Sequence, residues 1–144
     1  MRRSTLPIFL LFCLCASSKL CAETKTKVLP DDWIPPLAPS ITAALEHLKS
    51  ADSQAEMNQL SRQIADMTDA QLFIAYVRLY DRLSTKQRAA LVTEQAKWLK
   101  ARSTAARAGV ESTGGSLAPL EANNAEVTYT EKRLKELRAR LKSL

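Results

Sequence analysis

The chain has 144 residues, with 21 basic against 15 acidic side chains, a formal charge of +6 and a pI near 9.4. Three glycines and 6% aromatics are too few for the turns and strands of a β-sandwich. Ala, Leu, Gln, Lys and Arg dominate instead; these are good helix formers, and the composition predicts an all-α protein with one cored domain.

The N-terminus reads as an export signal. Met1-Arg2-Arg3 is a short basic start, residues 6–16 (LPIFLLFCLCA) are apolar, and residues 17–22 (SSKLCA) are mostly polar and end in a small residue. The apolar run, about eleven residues, falls short of the roughly 20 that span a bilayer. Cys13, Cys15 and Cys21 all lie in this segment. Cleavage after Ala22 leaves no cysteine, whereas cleavage after Ser18 would retain Cys21. Neither Cys15, after Cys13-Leu14, nor Cys21, after Lys19-Leu20, follows the small residues that precede a lipidated cysteine. The expected product is therefore soluble, periplasmic or secreted, and held by packing without a disulfide. Removing Arg2, Arg3 and Lys19 leaves 18 basic against 15 acidic residues, a modest excess that argues against a nucleic-acid partner.

Residues 23–39 contain Pro30, Pro35, Pro36 and Pro39, which disfavour helix and central strand and predict an extended tether. Trp33 and Ile34 on it could dock on the domain or on a partner. The helical domain is predicted over 40–144. Ser40 is the expected N-cap of a first helix carrying Ile41, Ala44, Leu45 and Leu48 on one face. His47 beside that stripe reads as a surface residue. Ser53-Gln54-Ala55-Glu56 is a capping box opening a second helix. Its seam runs through Met57, Leu60, Ile64 and Met67, then Leu72, Tyr76, Leu79 and Leu83. With no Pro or Gly across 53–83, one long helix is favoured, with Thr68-Asp69 as the place it could break.

A third helix opens at Ser84-Thr85-Lys86-Gln87 and runs to Gly109, a natural C′ glycine. Leu91, Val92, Trp98, Leu99 and Ala106 share one face, with Gln95 and Arg102 in its middle. Lys86, Lys97, Lys100 and Arg107 occupy the opposite side, either as a solvated face or as a surface for an acidic partner. Residues 109–118 form a flexible loop, and Pro119 suits the first turn of a last helix. That helix carries a seam of Leu120, Val127, Leu134 and Leu141, with Asn123, Thr130, Leu137 and Leu144 beside it. Glu131–Lys135, Lys132–Glu136 and Glu136–Arg140 are candidate i,i+4 pairs. The expected core is Met57, Leu60, Ile64, Leu72, Tyr76, Leu79, Leu91, Trp98, Leu99, Val127, Leu134 and Leu137, in an antiparallel bundle of three to four helices.

Catalytic chemistry is not written in these residues. A single histidine without an evident acid partner or nucleophile elbow does not make a hydrolase, and no histidine pair or glycine-rich loop suggests a metal or a phosphate. The expectation is a non-enzyme with no cofactor.

Several short pieces occur in order: Ala55-Glu56-Met57-Asn58; Asp69-x-x-Leu72-x-x-x-Tyr76; Gln95-x-x-Trp98-Leu99-x-x-Arg102; Gly114-Gly115-Ser116; and Thr130-x-x-Arg133-x-x-x-Leu137. Together they resemble the LprI-like family of bacterial lysozyme inhibitors, small exported helical domains, over about residues 53–142. The resemblance implies a motif set of Asp69, Tyr76, Gln95, Trp98, Arg102, Thr130 and Arg133. It also implies lost cysteines: family members usually carry them where this chain has Leu60, Ala106 and Ala125, and Ser103 replaces a common aspartate. The implied function is an envelope binder, with lysozyme as the possible protein partner. The residues leave a second class open, a structural or adaptor module presenting its basic face to acidic envelope polymer or a membrane surface. Trp33, Lys86, Lys97, Lys100 and Arg107 are the candidate partner-facing residues. Arg102 is expected to be a cation on a buried face held by Asp69, with Tyr76 or Gln95 completing the site; the other reading has it snorkel past Trp98 to water.

Overall fold

Four helices make up the computed structural model, which describes residues 27–144 apart from Asp31 and Ile34: α1 (Leu37–Lys49), α2 (Gln54–Arg82), α3 (Thr85–Ala108) and α4 (Ala118–Lys142). No strand occurs among the described residues. The expected signal peptide with its three cysteines, and Asp31 and Ile34 of the tether, lie outside them. α2 runs unbroken through Thr68, whose hydroxyl donates to the Ile64 carbonyl and so does not cap a new helix.

Two helix starts differ from expectation. α1 begins at Leu37, three residues before the expected N-cap, so the end of the proline-rich tether is already helical. Pro39 falls in the first turn, where a missing N–H costs nothing, and the Ser40 hydroxyl donates to the Pro36 carbonyl instead of capping. At α2, Ser53 accepts from the Glu56 amide, but Glu56 reaches back one residue further, to the Asp52 amide.

Short connections make consecutive helices antiparallel, so α2 and α4 run in the same direction. Asn123 donates to Ser61 near one end of this pair, and Arg138 donates to Gln71 further along. This parallel pair forms the largest helix interface; α1 packs on α2, and α3 packs on α4. The core is built from Leu72, Ala75, Leu79 and Leu83 of the α2 strip, Leu91 of α3, and Leu134 and Leu137 of α4. α4 is clasped by both α2 and α3. Its deepest row is consequently Asn123, Thr130 and Leu137, the row expected only beside the seam, while Leu120, Val127 and Leu141 are half-buried.

The same placement of α4 overturns part of the expected core. Leu91 is fully buried, but Val92 and Leu99 on the same face of α3 are 49% and 44% exposed. α4 covers only one flank of that face, and α2 stands too far off to cover the other. Met57, Leu60, Tyr76, Trp98 and Val127 are half-buried rather than enclosed.

Gly109 is not a left-handed C′ residue, since its φ is −78°. Close approach accounts for it: a β-carbon there would overlap Ala125 Cβ of α4. Gly114 in the following loop does adopt a positive φ, +80°, which glycine tolerates at no steric cost. Glu121 ties this loop down by accepting from the Glu111 and Ser112 amides and the Ser112 hydroxyl. These bonds, led by the Ser112 amide, hold its carboxyl below the usual range.

Candidate functional site

Where α2 and α3 leave the short turn at Leu83-Ser84, one side chain keeps them registered. Arg88 of α3 donates to the carbonyls of Tyr80 and Asp81, satisfying the exposed end of α2, and its guanidinium lies 4.8 Å from the Tyr80 ring centre. Beyond this point a groove of about 430 Å³ opens between the helices. Leu72, Phe73 and Tyr76 form one wall, and Val92, Ala96 and Leu99 form the other. Phe73 is 66% exposed. It is the largest apolar side chain on the rim, and sequence reasoning passed over it because it lies off the α2 seam by one residue.

Part of the family motif gathers around this groove, and the rest, Trp98, Thr130 and Arg133, lies on or against α4. Asp69, Tyr76 and Gln95 line it. Asp69 and Arg102 close its far end as an ion pair. Arg102 is 17% exposed, lies 5.1 Å from the Trp98 ring centre and has Glu126 at 3.7 Å; the Asp69 carboxylate is 49% exposed. The acceptors around Arg102 are thus Asp69 and Glu126, and neither Tyr76 nor Gln95 completes the site. Trp98 stacks on Tyr129 of α4 with ring centres 5.7 Å apart. Tyr76 stacks on Tyr80 at 6.2 Å; burial first, then the neighbouring Tyr80 phenol, raises its hydroxyl above the ordinary value, so it stays a neutral donor.

Gln95 serves a different arginine. Its side-chain oxygen accepts from Arg133 Nε at 3.3 Å, while Arg133 Nη1 binds Glu94 at 2.6 Å and Glu136 at 3.0 Å. Arg133 is only 5% exposed, the deeper of the two motif cations. Arg140 joins Glu94 at 3.0 Å. Burial pushes the Glu94 carboxyl up, but the hydrogen bonds and charges of Arg133 and Arg140 outweigh it and hold the group below the usual carboxylate range. These contacts replace the expected i,i+4 pairs of α4: Glu136 turns to Arg133 and Arg140 to Glu94, and Glu131–Lys135 and Lys132–Glu136 are not formed. Thr130, one turn before Arg133 on α4, is buried.

The candidate partner-facing residues do not converge on the groove. Lys86, Lys97, Lys100 and Arg107 are exposed. Arg107 donates to Ser103, and the three lysines make no ion pair among the described residues. Trp33 is 65% exposed, held in a turn by its amide on the Pro30 carbonyl. His47 is on the surface, and no cluster of three His, Cys, Asp or Glu side chains suited to a metal occurs among the described residues.

A sequence model of the family described as Lysozyme inhibitor LprI matches residues 45–137, from within α1 to the core leucine of α4. The chain belongs to the LprI family. The match covers the groove and every one of the seven motif residues. No curated protein and no solved structure matches the chain significantly. No helix among the described residues is long and apolar enough to cross a membrane.

Proposed function

We propose that this LprI-family protein is an exported, non-catalytic inhibitor of a muramidase, and that it receives an apolar side chain of the enzyme in the α2–α3 groove. The observation that carries the reading is the groove itself: the motif residues Asp69, Tyr76 and Gln95 line it, Arg102 closes its end through Asp69, and three apolar side chains, Phe73, Val92 and Leu99, stand open on its walls. Such an exposed cluster beside ordered polar groups fits a protein partner better than solvent. The Asp69–Arg102 pair and Gln95 then orient the incoming chain, and Tyr76 offers a hydroxyl at the groove wall.

The groove lacks the acidic field that would steer a basic lysozyme. Affinity must come from apolar burial, so inhibition should hold when the ionic strength rises. The test is peptidoglycan hydrolysis by a muramidase with increasing protein, at low and high salt. Dose-dependent inhibition at both supports the reading, and no inhibition at a large excess rejects it.

A second reading has one observation behind it. Lys86, Lys97 and Lys100, with Arg107, present an exposed basic face on α3 without carboxylate partners among the described residues. An adaptor binding acidic envelope polymer through this face would be captured by that polymer and released by salt.

A further inference from the structure

The α2–α4 interface is flanked by a second trough, between α1 and α4, on the side away from the family motif. Its volume is about 610 Å³. Leu134 and Thr68, both buried, form the floor, and Ala38, Ile41 and Ala139 contribute apolar walls. A smaller cavity of about 200 Å³ adjoins it, sharing Ala38, Gln71 and Arg138 and reaching Leu37, Ile74 and Leu141, with Arg78 of α2 also in its lining. The trough exists because α1 packs on α2 and does not close onto α4.

One wall is cationic. Lys135, Arg138 and Lys142 project along it from successive turns of α4, with Glu131 one turn below. Cations near a helix C-terminus ordinarily complement its dipole. Here they also border an apolar cavity. Lys135 and Lys142 have no carboxylate partner among the described residues, and Arg138 makes a neutral contact, donating through Nη2 to Gln71 at 3.3 Å. α1 begins beside this wall with no acidic residue in its first turn and no side-chain cap. Mostly apolar lining, a few convergent polar groups and a volume of several hundred Å³ describe a small-molecule site.

We infer that the α1–α4 trough binds an anionic amphiphile, with a carboxylate or phosphate head on Arg138 and Lys135 and a hydrocarbon tail along Ile41 and Leu134 toward the Leu37–Leu141 cavity. The guanidinium between the two cavities places the head where the tail can turn inward, and its remaining N–H groups suit a planar or tetrahedral oxyanion. Nothing in this inference depends on muramidase inhibition, which involves the opposite groove.

Calorimetric titration of the full exported chain with dodecanoate below its micelle concentration tests it, against dodecyltrimethylammonium as the same tail with the opposite charge. A lysophosphatidylglycerol arm distinguishes a free fatty acid from a phospholipid as the source, and the tighter of the two anionic probes identifies it. Dodecanoate or the lysolipid should bind at least about tenfold more tightly than the cationic probe, a difference of about 1.4 kcal/mol. Lys135→Gln with Arg138→Gln should erase that preference without lowering the melting temperature. Ile41→Trp, which fills the trough from α1, should block binding of both anionic probes while the basic wall stays intact. Equal affinity for both head charges, binding undiminished in either variant, or no heat with either anionic probe would overturn the inference.

Discussion

Arg133 of α4 donates to Glu94 of α3 across 2.6 Å, from a side chain that is almost wholly enclosed. Gln95 of α3 accepts from Nε, and Glu136 of α4 itself accepts from the same nitrogen as Glu94, so one cation is held across the α3–α4 interface by two acceptors and oriented by a third on its own helix. Arg133→Ala should destabilise the protein by about 3 kcal/mol, the low end for breaking a buried pair, because the two half-exposed carboxylates can rehydrate. Urea unfolding measures this. A loss below about 1 kcal/mol would show that the guanidinium is dispensable.

Glu94 should give the protein an acid-sensitive joint. Its folded-state carboxyl lies below the ordinary glutamate value of 4.5, so the unfolded chain binds this proton more readily than the folded one. The associated stability is complete above about pH 4.5 and is lost as pH falls through the lower, folded value. Stability against pH for Glu94→Gln should therefore fall less steeply below about pH 4.5 than in the parent. Identical acid slopes would contradict the assignment.

The Asp69–Arg102 pair is a weaker joint than the motif spacing suggests. Asp69 is half exposed, and Arg102 retains Glu126 and the Trp98 ring when Asp69 is removed. A double-mutant cycle on Asp69→Ala and Arg102→Ala should give coupling of about 1 kcal/mol, between the values for exposed and buried pairs. Coupling above about 3 kcal/mol would mean the pair is closed to water, and none would mean it contributes nothing to folding.

Gly109, at the end of α3, packs so closely on Ala125 of α4 that a β-carbon there would overlap it. Gly109→Ala should cost about 1–3 kcal/mol by overpacking, despite the higher helix propensity of alanine. One turn earlier on α3, Ala106 lines the same α3–α4 cleft as Ala122 and Glu126. An Ala106→Cys, Ala125→Cys variant should accordingly form a disulfide under oxidation, measured as a two-hydrogen mass loss. Persistent free thiols would place these two positions out of register.

The helices were legible in the sequence because their punctuation is local. The Ser53 cap, the Ser84 opening and Pro119 each act within one turn of chain, and no proline or glycine interrupts 53–83. The family motif was legible for the same reason, as residues at helical spacing. The neighbours of each helix were not. Leu91 and Leu99 project onto one face of α3, yet one is sealed and the other open, because only the insertion of α4 decides which flank is covered. The same non-local fact made Arg133 the enclosed cation, although Arg102 sits among more apolar neighbours in sequence. It also left Phe73 exposed, one residue off the seam of a helix that periodicity describes well.

The α2–α3 groove is the surface proposed to meet a muramidase. The most direct measurement is the inhibition constant of Phe73→Asp and Leu99→Asp variants, each checked for an unchanged melting temperature, against the parent protein in peptidoglycan hydrolysis. Both side chains are already open to solvent, so folding should be preserved. Inhibition should weaken by at least about tenfold in each, since burying a charge in place of an apolar anchor costs more than about 1.4 kcal/mol. Well-folded variants that inhibit as strongly as the parent would contradict the assignment of this groove.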